Sequence, residues 1–383
     1  MAGPLDGIRV LELPAIGPVP FLGMLLADLG AEVIRIDRVS AEDDPLAALP
    51  VGASGPAGRG RRSIGIDLRQ PAGAAIALDL VADCDVLIEG FRPGVAERLG
   101  LGPADALARN PKLVYGRMTG WGQDGPLAAR AGHDITYLAV AGLLHGMGPA
   151  AGPPIPPANY LGDFGGGASS LAIGVLAAVI SARTTGQGQV VDAAMLDGAS
   201  YLATMVRTLH GHGLWHDERE ANLFDGGVPN YRCYTCADSK FVAVGALEPK
   251  FWNVLVQTLG LDPATTPSPY DQGRHQELAA TLSEIFAGRT RDEWAAIFEP
   301  LDACVAPVLT LAEAPLHPHN VDRGSFVESA GVTVTGPTPR FSATAAVLAG
   351  PPPAIGADTE TLLSTLGYAQ DHLAQLRADG VIG

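Results

Sequence analysis

The chain has 383 residues, 47% of them hydrophobic, and a formal net charge of -16. That length exceeds what one compact core fills, so two domains are expected, and the apolar content is enough to fill both. The acidic balance excludes the basic footprint that non-specific nucleic-acid binding needs, and the hydrophobic content excludes extended disorder.

In chain order, Ile8 to Leu13 reads as a strand, Phe21 to Gly30 as a helix ending at a C-cap glycine, and Glu32 to Asp37 as a second strand. This β-α-β opening predicts a parallel sheet with a right-handed crossover. Asp37 stands where a dinucleotide fold carries its ribose-binding acid. The first turn, Leu13-Pro-Ala-Ile-Gly-Pro-Val-Pro20, nevertheless has no G-x-G-x-x-G and puts proline where a phosphate-binding amide is wanted, so no NAD site is expected. Arg35, Arg38, Arg59, Arg61, Arg62 and Arg69 gather early and offer a local seat for an anionic small molecule despite the acidic whole.

Further strands follow at Arg62 to Asp67 and Asp85 to Glu89, with a helix over Pro71 to Ala82 between them. The loop Gly90-Phe91-Arg92-Pro93-Gly94 leaves the carboxyl end of a strand, where ligands of open α/β sheets sit. Lys112 to Met118 continues the sheet and enters a glycine-rich loop over Thr119 to Gly125.

The stretch from Gly132 to Gly167 carries the chemistry. Gly132-His133-Asp134-Ile135-Thr136-Tyr137 and Asn159-Tyr160-Leu161-Gly162-Asp163-Phe164 place an imidazole and a carboxyl group at the starts of two expected helices, joined by a Pro- and Gly-rich hinge. A histidine has a reference pKa of about 6.5 and exchanges protons near neutrality. An aspartate at its reference pKa of about 3.9 does not, unless burial raises it. Matched in this way, the two groups could exchange protons with opposite faces of one carbon. The plain alternative, which residue pattern alone favours, is that His133 and Asp134 begin a helix and Asp163 is an N-cap.

Leu171 to Ile180 is very apolar but too short for a membrane span of about 20 residues, and it reads as a buried core helix. Gln189 to Ala194 reads as a strand and Met195 to Leu209 as one helix. The run His210-Gly-His-Gly-Leu-Trp-His216 has neither helical nor finger spacing for a metal and reads as a polar linker. From Asn230 the character changes. A hairpin of Tyr231 to Cys236 and Phe241 to Gly245, helices near Pro249 to Leu259, Gln276 to Phe286 and Arg291 to Phe298, and a strand over Asp302 to Val308 form a separate α+β block. Cys84, Cys233, Cys236 and Cys304 are too dispersed for a disulfide framework, and the C-x-x-C at Cys233 lacks a second ligand pair, so a reducing compartment and no metal are expected. Glu248 either starts a helix or reaches across a domain or subunit boundary to orient His133. The carboxyl-terminal segment, helical from Thr359, is expected to return to the first domain.

Together, Gly3-Pro-Leu-Asp-Gly-Ile-Arg-Val10, Asp28-Leu-Gly-Ala-Glu-Val-Ile-Arg-Ile-Asp-Arg38, Gly90-Phe-Arg-Pro-Gly94, Arg98-Leu-Gly-Leu-Gly-Pro103, Arg117-Met-Thr-Gly-Trp-Gly-Gln123, Gly132-His-Asp134, Gly162-Asp-Phe-Gly-Gly-Gly167 and Gly186-Gln-Gly-Gln-Val-Val-Asp192 resemble the α-methylacyl-CoA racemases of the family III CoA-transferase superfamily. The resemblance spans nearly the whole chain. It implies a Rossmann-like α/β large domain with a parallel sheet plus a smaller α+β domain, in an interlocked homodimer. The corresponding boundaries are a large CoA-binding domain over 1–190, a linker helix over 191–225, the small domain over 226–310, and a linker returning to the large domain over 311–383.

By the same resemblance, His133 and Asp163 are the acid/base pair, Asp134 stands beside them, and the partner subunit's Glu248 lies near His133. Arg38, Arg92 and Arg98 match positions that bind CoA phosphates. Asp67, Leu68 and Arg69 match the adenine pocket, and Gly90, Phe91, Gly132 and Tyr137 the remaining CoA contacts. CoA enters as part of a 2-methylacyl-CoA thioester, with no metal or redox cofactor. The amides at Gly162 and Asp163 are expected to point free N–H groups at an enolate oxygen. A transferase of the same fold, with Asp163 as nucleophile, is the alternative. Residues 40–57 look longer and looser than in that family, and the six methionines represent its methionine-lined acyl surface thinly. A composition rich in alanine and arginine, with three lysines (Lys112, Lys240 and Lys250), points to a GC-rich bacterial genome and to the cytoplasm.

Overall fold

A computed structural model describes residues 3–39, 55–329 and 331–383. Most of the stretch over 40–57 therefore lies outside the described residues. The chain forms two compact units: residues 1–141, 158–202 and 321–383, and residues 142–157 and 203–320. The large domain read as continuous over 1–190 thus gives up residues 142–157 to the second unit, and the segment over 191–225 is divided between the two.

The first unit opens with β1 (Arg9–Glu12), α1 (Pro18–Asp28) and β2 (Glu32–Asp37). It continues with β3 (Arg61–Gly65), α2 (Pro71–Ala82), β4 (Val86–Glu89), α3 (Val95–Arg98), α4 (Pro103–Arg109) and β5 (Val114–Thr119). After α5 (Asp134–Ala141) come a π-helix (Tyr160–Ala168), α6 (Ser169–Thr185), β6 (Gln189–Ala194) and α7 (Met195–Leu202). The six strands pair in parallel in the order β3-β2-β1-β4-β5-β6. The apolar runs of β1 to β5 are buried on both faces, as helix-covered parallel strands require, whereas Val190 of the edge strand β6 is exposed. Strand order reverses between β1 and β4, and such a switch point opens a crevice at the strands' carboxyl ends.

Two cores flank the sheet. One holds Leu11, Ile34, Leu80, Leu87 and Tyr115. The other holds Val10, Leu22, Val33, Ile88 and Val175. The π-helix and α7 pack backbone to backbone through Gly166 on one and Gly198 on the other. A Cβ on Gly166 would lie 2.4 Å from the Ala199 amide nitrogen. The helical run Tyr160–Thr185 is long and apolar enough to cross a membrane by length and composition alone. One face of α6 packs into the second core through Leu171, Val175 and Val179, whereas Ile173 and Ile180 are exposed.

The second unit contains α8 (Thr204–Gly211), so the single helix read over Met195 to Leu209 is broken at Ala203, whose ψ of 6° is not helical. It also contains β7 (Tyr231–Thr235), β8 (Phe241–Gly245), α9 (Pro249–Thr258), α10 (His275–Phe286), α11 (Arg291–Phe298) and β9 (Val305–Pro307). The antiparallel sheet β7-β8-β9 closes over a core of Tyr234, Trp252, Leu282, Phe286 and Phe298. The last 63 residues, 321–383, rejoin the first unit, where Ile382 bridges Ile66 and the Gly383 amide donates to the Gly65 carbonyl.

Candidate active site

A cleft of about 310 Å³ opens at the switch point. Its walls come from three strand ends: Ile16 and Gly17 after β1, Gly90 to Pro93 after β4, and Thr119 to Trp121 with the following loop after β5. His133, Tyr137 and Asp163 complete it.

The β4 loop is set from below. Glu89 is fully buried and accepts from the Phe91 amide at 2.6 Å and from Arg117 Nε at 2.9 Å, while Arg117 also reaches Glu97. Burial pushes the Glu89 carboxyl up to about 6. Arg92, carried by this loop, is exposed and lines the cleft.

His133 precedes α5, and its backbone is pinned by Thr136. The His133 amide donates to Thr136 Oγ1 at 3.0 Å, and that hydroxyl donates back to the His133 carbonyl at 2.7 Å. Among the described residues the imidazole has no hydrogen-bond partner and stays exposed toward the cleft.

Asp163 is not an N-cap. It is the fourth residue of the π-helix, an irregularity that often marks a functional site. Its Oδ2 accepts from Asn159 Nδ2 at 3.3 Å. Burial, aided by the Asp134 carboxylate, raises its pKa, while Asn159 and His133 oppose the rise. The acid form is therefore more accessible than in an exposed aspartate.

Asp134 is buried and does something other than touch the cleft. Its Oδ2 accepts from the Gly162 amide at 2.7 Å and the Asp163 amide at 2.9 Å. The expectation that these amides are free for an enolate oxygen is thus overturned: both donors are spent on Asp134. Gly162 must be glycine, because a Cβ there would lie 2.5 Å from that carboxylate. The ring of Tyr137 is wedged between Gly120 and Gly132 and packs edge-on against Trp121, with centroids 4.8 Å apart. Burial, with the nearby Asp163 charge, pushes its hydroxyl up to about 12, so it remains a donor at neutral pH.

Four of the early arginines are engaged in ion pairs and do not form an open anion seat. Arg35 pairs with Asp37, Arg59 with Asp28 and Arg61 with Glu12, all buried, and Arg62 bridges Glu32 and Asp358. Arg69 lies on Asp67 at 2.9 Å and holds that carboxyl below its usual range, with Leu68 buried between them in sequence. Arg38 and Arg98 are exposed, at the end of β2 and at the end of α3. Glu248 belongs to the second unit, where it is the exposed N-cap of α9 and its carbonyl accepts from Phe251 and Trp252.

The CoA-transferase family III model matches residues 5–359. The chain belongs to CoA-transferase family III. It is 40% identical to the mouse α-methylacyl-CoA racemase over 99% of this chain and 97% of that protein. To the human α-methylacyl-CoA racemase it is 41% identical, over the same shares. The crystal structure of a CaiB/BaiF family protein from Brucella suis superposes with a TM-score of 0.82 at 26% identity, covering 96% of this chain and all of that one.

Within this family III chain, sequence reasoning missed the wall formed by Ile16 and Gly17, the Asn159 contact, and Met118 and Met195, two methionines that line the cleft. Asn159 was legible in principle, since it precedes Asp163 by four residues, one helical turn. The two methionines come from the end of β5 and the start of α7, and only the folded sheet brings them together.

Proposed function

We propose that the protein epimerises 2-methylacyl-CoA thioesters at the α-carbon by a two-base proton transfer. The observation that carries the reading is one cleft, at the switch point of a family III sheet, lined by both an imidazole and a half-buried carboxyl whose pKa is raised by burial. In one direction neutral His133 takes the α-proton, and protonated Asp163 returns a proton to the opposite face of the resulting enolate. The reverse run exchanges the roles. With the Gly162 and Asp163 amides engaged by Asp134, the Tyr137 hydroxyl is the cleft donor we assign to the enolate oxygen. Met118, Met195 and Ile16 supply apolar wall for the acyl chain.

We place CoA phosphates at Arg38, Arg92 and Arg98, and the adenine near Asp67, Leu68 and Arg69. CoA is then part of the substrate, and no separate cofactor enters the scheme. The exposed Ile173 and Ile180 on α6, with exposed Tyr201 and Leu202 on α7, support burial against a second copy. We read the assembly as a homodimer in which the partner subunit's Glu248 orients His133. The free cysteines support a reducing compartment, and we read the protein as cytoplasmic.

Family membership also supports a transferase in which Asp163 attacks the thioester, expels CoA as thiolate and forms a mixed anhydride. A transferase has no use for His133. Incubating a single-epimer 2-methylacyl-CoA in deuterated water without acceptor acid separates the two. Deuterium at the α-carbon with loss of configuration supports epimerisation. A substrate that stays inert until a carboxylic acid is added, and then exchanges its CoA, defeats that reading.

A further inference from the structure

The start of α1 faces the acid. Gly17, its N-cap, has φ 68° and ψ -114°, a region only glycine occupies comfortably, and a Cβ there would stand 3.7 Å from Asp163 Oδ2. The stacked rings of Phe21 and Phe164, 4.7 Å apart, lock α1 to the π-helix that carries Asp163. Ile16, Gly17, Pro18 and Val19 share the cleft wall with that carboxyl.

A helix amino terminus beside a carboxyl group ordinarily offers up to four unpaired N–H groups and stabilises the anion. That would oppose the protonated form that acid catalysis needs. In α1 those four positions are Gly17, Pro18, Val19 and Pro20, so two of the four have no N–H, and Gly17 has no side chain to cap with. A single proline at the first helical position is commonplace, and the helices that begin at Pro71, Pro103 and Pro249 have that alone. Only α1 among these four adds a second proline two residues on.

We propose that Pro18 and Pro20 act on catalysis through Asp163: they strip two hydrogen-bond donors from the helix end that faces it, so the helix stabilises the carboxylate less and the protonated form is more accessible. This rests on the acid role assigned to Asp163 above. The other groups bearing on that carboxyl are Asp134, His133, Asn159 and the Tyr137 hydroxyl, with Arg92 across the cleft. Beneath α1 lies the Glu12–Arg61 pair, whose guanidinium donates to the Pro20 carbonyl. That pair is internally neutral, and α1 itself carries no acidic residue in its first turn and no basic residue in its last.

The test reads the ionisation of Asp163 directly and separately from turnover. The full-length protein is labelled with [¹³Cγ]aspartate, the Asp163 resonance is assigned by its loss in Asp163→Asn, and wild type, Pro18→Ala, Pro20→Ala and Pro71→Ala are titrated by NMR. Each α1 variant restores one N–H, and the Asp163 midpoint should fall by about half a unit, the scale of one helix-end contact. Pro71→Ala, at the start of α2, should leave it unchanged. The acidic limb of the kcat/KM profile should move down in step, with a loss of about threefold near neutrality. An Asp163 midpoint that stays put or rises in a folded α1 variant overturns the inference. Pro18→Ala alone decides it if Pro20→Ala does not fold. Should the midpoint fall while wild type shows no α-carbon exchange, the tuning stands and the epimerase reading is what fails.

Discussion

Two populations of charged side chains share the first unit. Along the sheet and beneath α1, Glu12 meets Arg61, Asp28 meets Arg59, Asp37 meets Arg35 and Glu89 meets Arg117, each pair buried and hydrogen-bonded. At the strand ends, His133 and Arg92 face a cleft with no such partner among the described residues, and Asp163 is bonded through Asn159 alone. The difference teaches where to look for chemistry. A charge that has been matched is a structural fastener, while one held in the open beside another titratable group is available to a substrate.

The comparison breaks most visibly at Arg61, which is 0% exposed against 1% for Glu12. Burial pushes Glu12 up and Arg61 down, each against the pull of the other. Desolvation therefore consumes much of what the pair gains, and its value lies in neither charge being left alone. Arg61→Ala strands Glu12 and should destabilise the fold by about 3–5 kcal/mol in a denaturant melt. A Glu12→Leu, Arg61→Met double variant should recover most of that loss. If the single variant proved harmless, the layer would not be the fastener described.

Next in size is the open pair itself. His133→Ala and Asp163→Ala should each lower turnover by roughly two or more orders of magnitude, the scale of a lost general acid or base, with melting temperatures close to wild type. Steady-state kinetics with circular dichroism checks both halves. Near-normal rates in both variants would remove the cleft from the mechanism.

The two populations also explain how far the sequence could be read. β2, α2, β8 and α11 stand where periodicity placed them, because their apolar patterns answer to one face or to full burial, and β6 also keeps its expected bounds. His133 and Asp163 were legible as a pair through the motifs around them, and one cleft receives both. What could not be read was pairing. Nothing local to Arg59 or Arg61 announces that its partner lies 31 or 49 residues away, so the early arginines looked like an anion seat until the sheet brought Asp28 and Glu12 to them. The amides of Gly162 and Asp163 looked free for the same reason, since their acceptor is 28 and 29 residues upstream. Exposure along a strand or helix is a local property, whereas charge compensation is a property of the fold.

Asp134 is where the two populations meet: its carboxylate is buried and bonded like a fastener, yet it bears on the reactive carboxyl. Asp134→Asn keeps the shape and an oxygen that can still accept from Gly162 and Asp163, so the π-helix start should survive. Two things change. The charge-assisted bonds to those amides weaken, which loosens Asp163. The negative charge that helps raise the pKa of Asp163 disappears, so its proton is held less tightly and the acidic limb of the kcat/KM profile should move to lower pH. We expect about a tenfold loss of rate at neutral pH, smaller than removing either member of the pair. A rate loss with an unmoved acidic limb would mean that Asp134 acts by holding the π-helix in place and not through its charge.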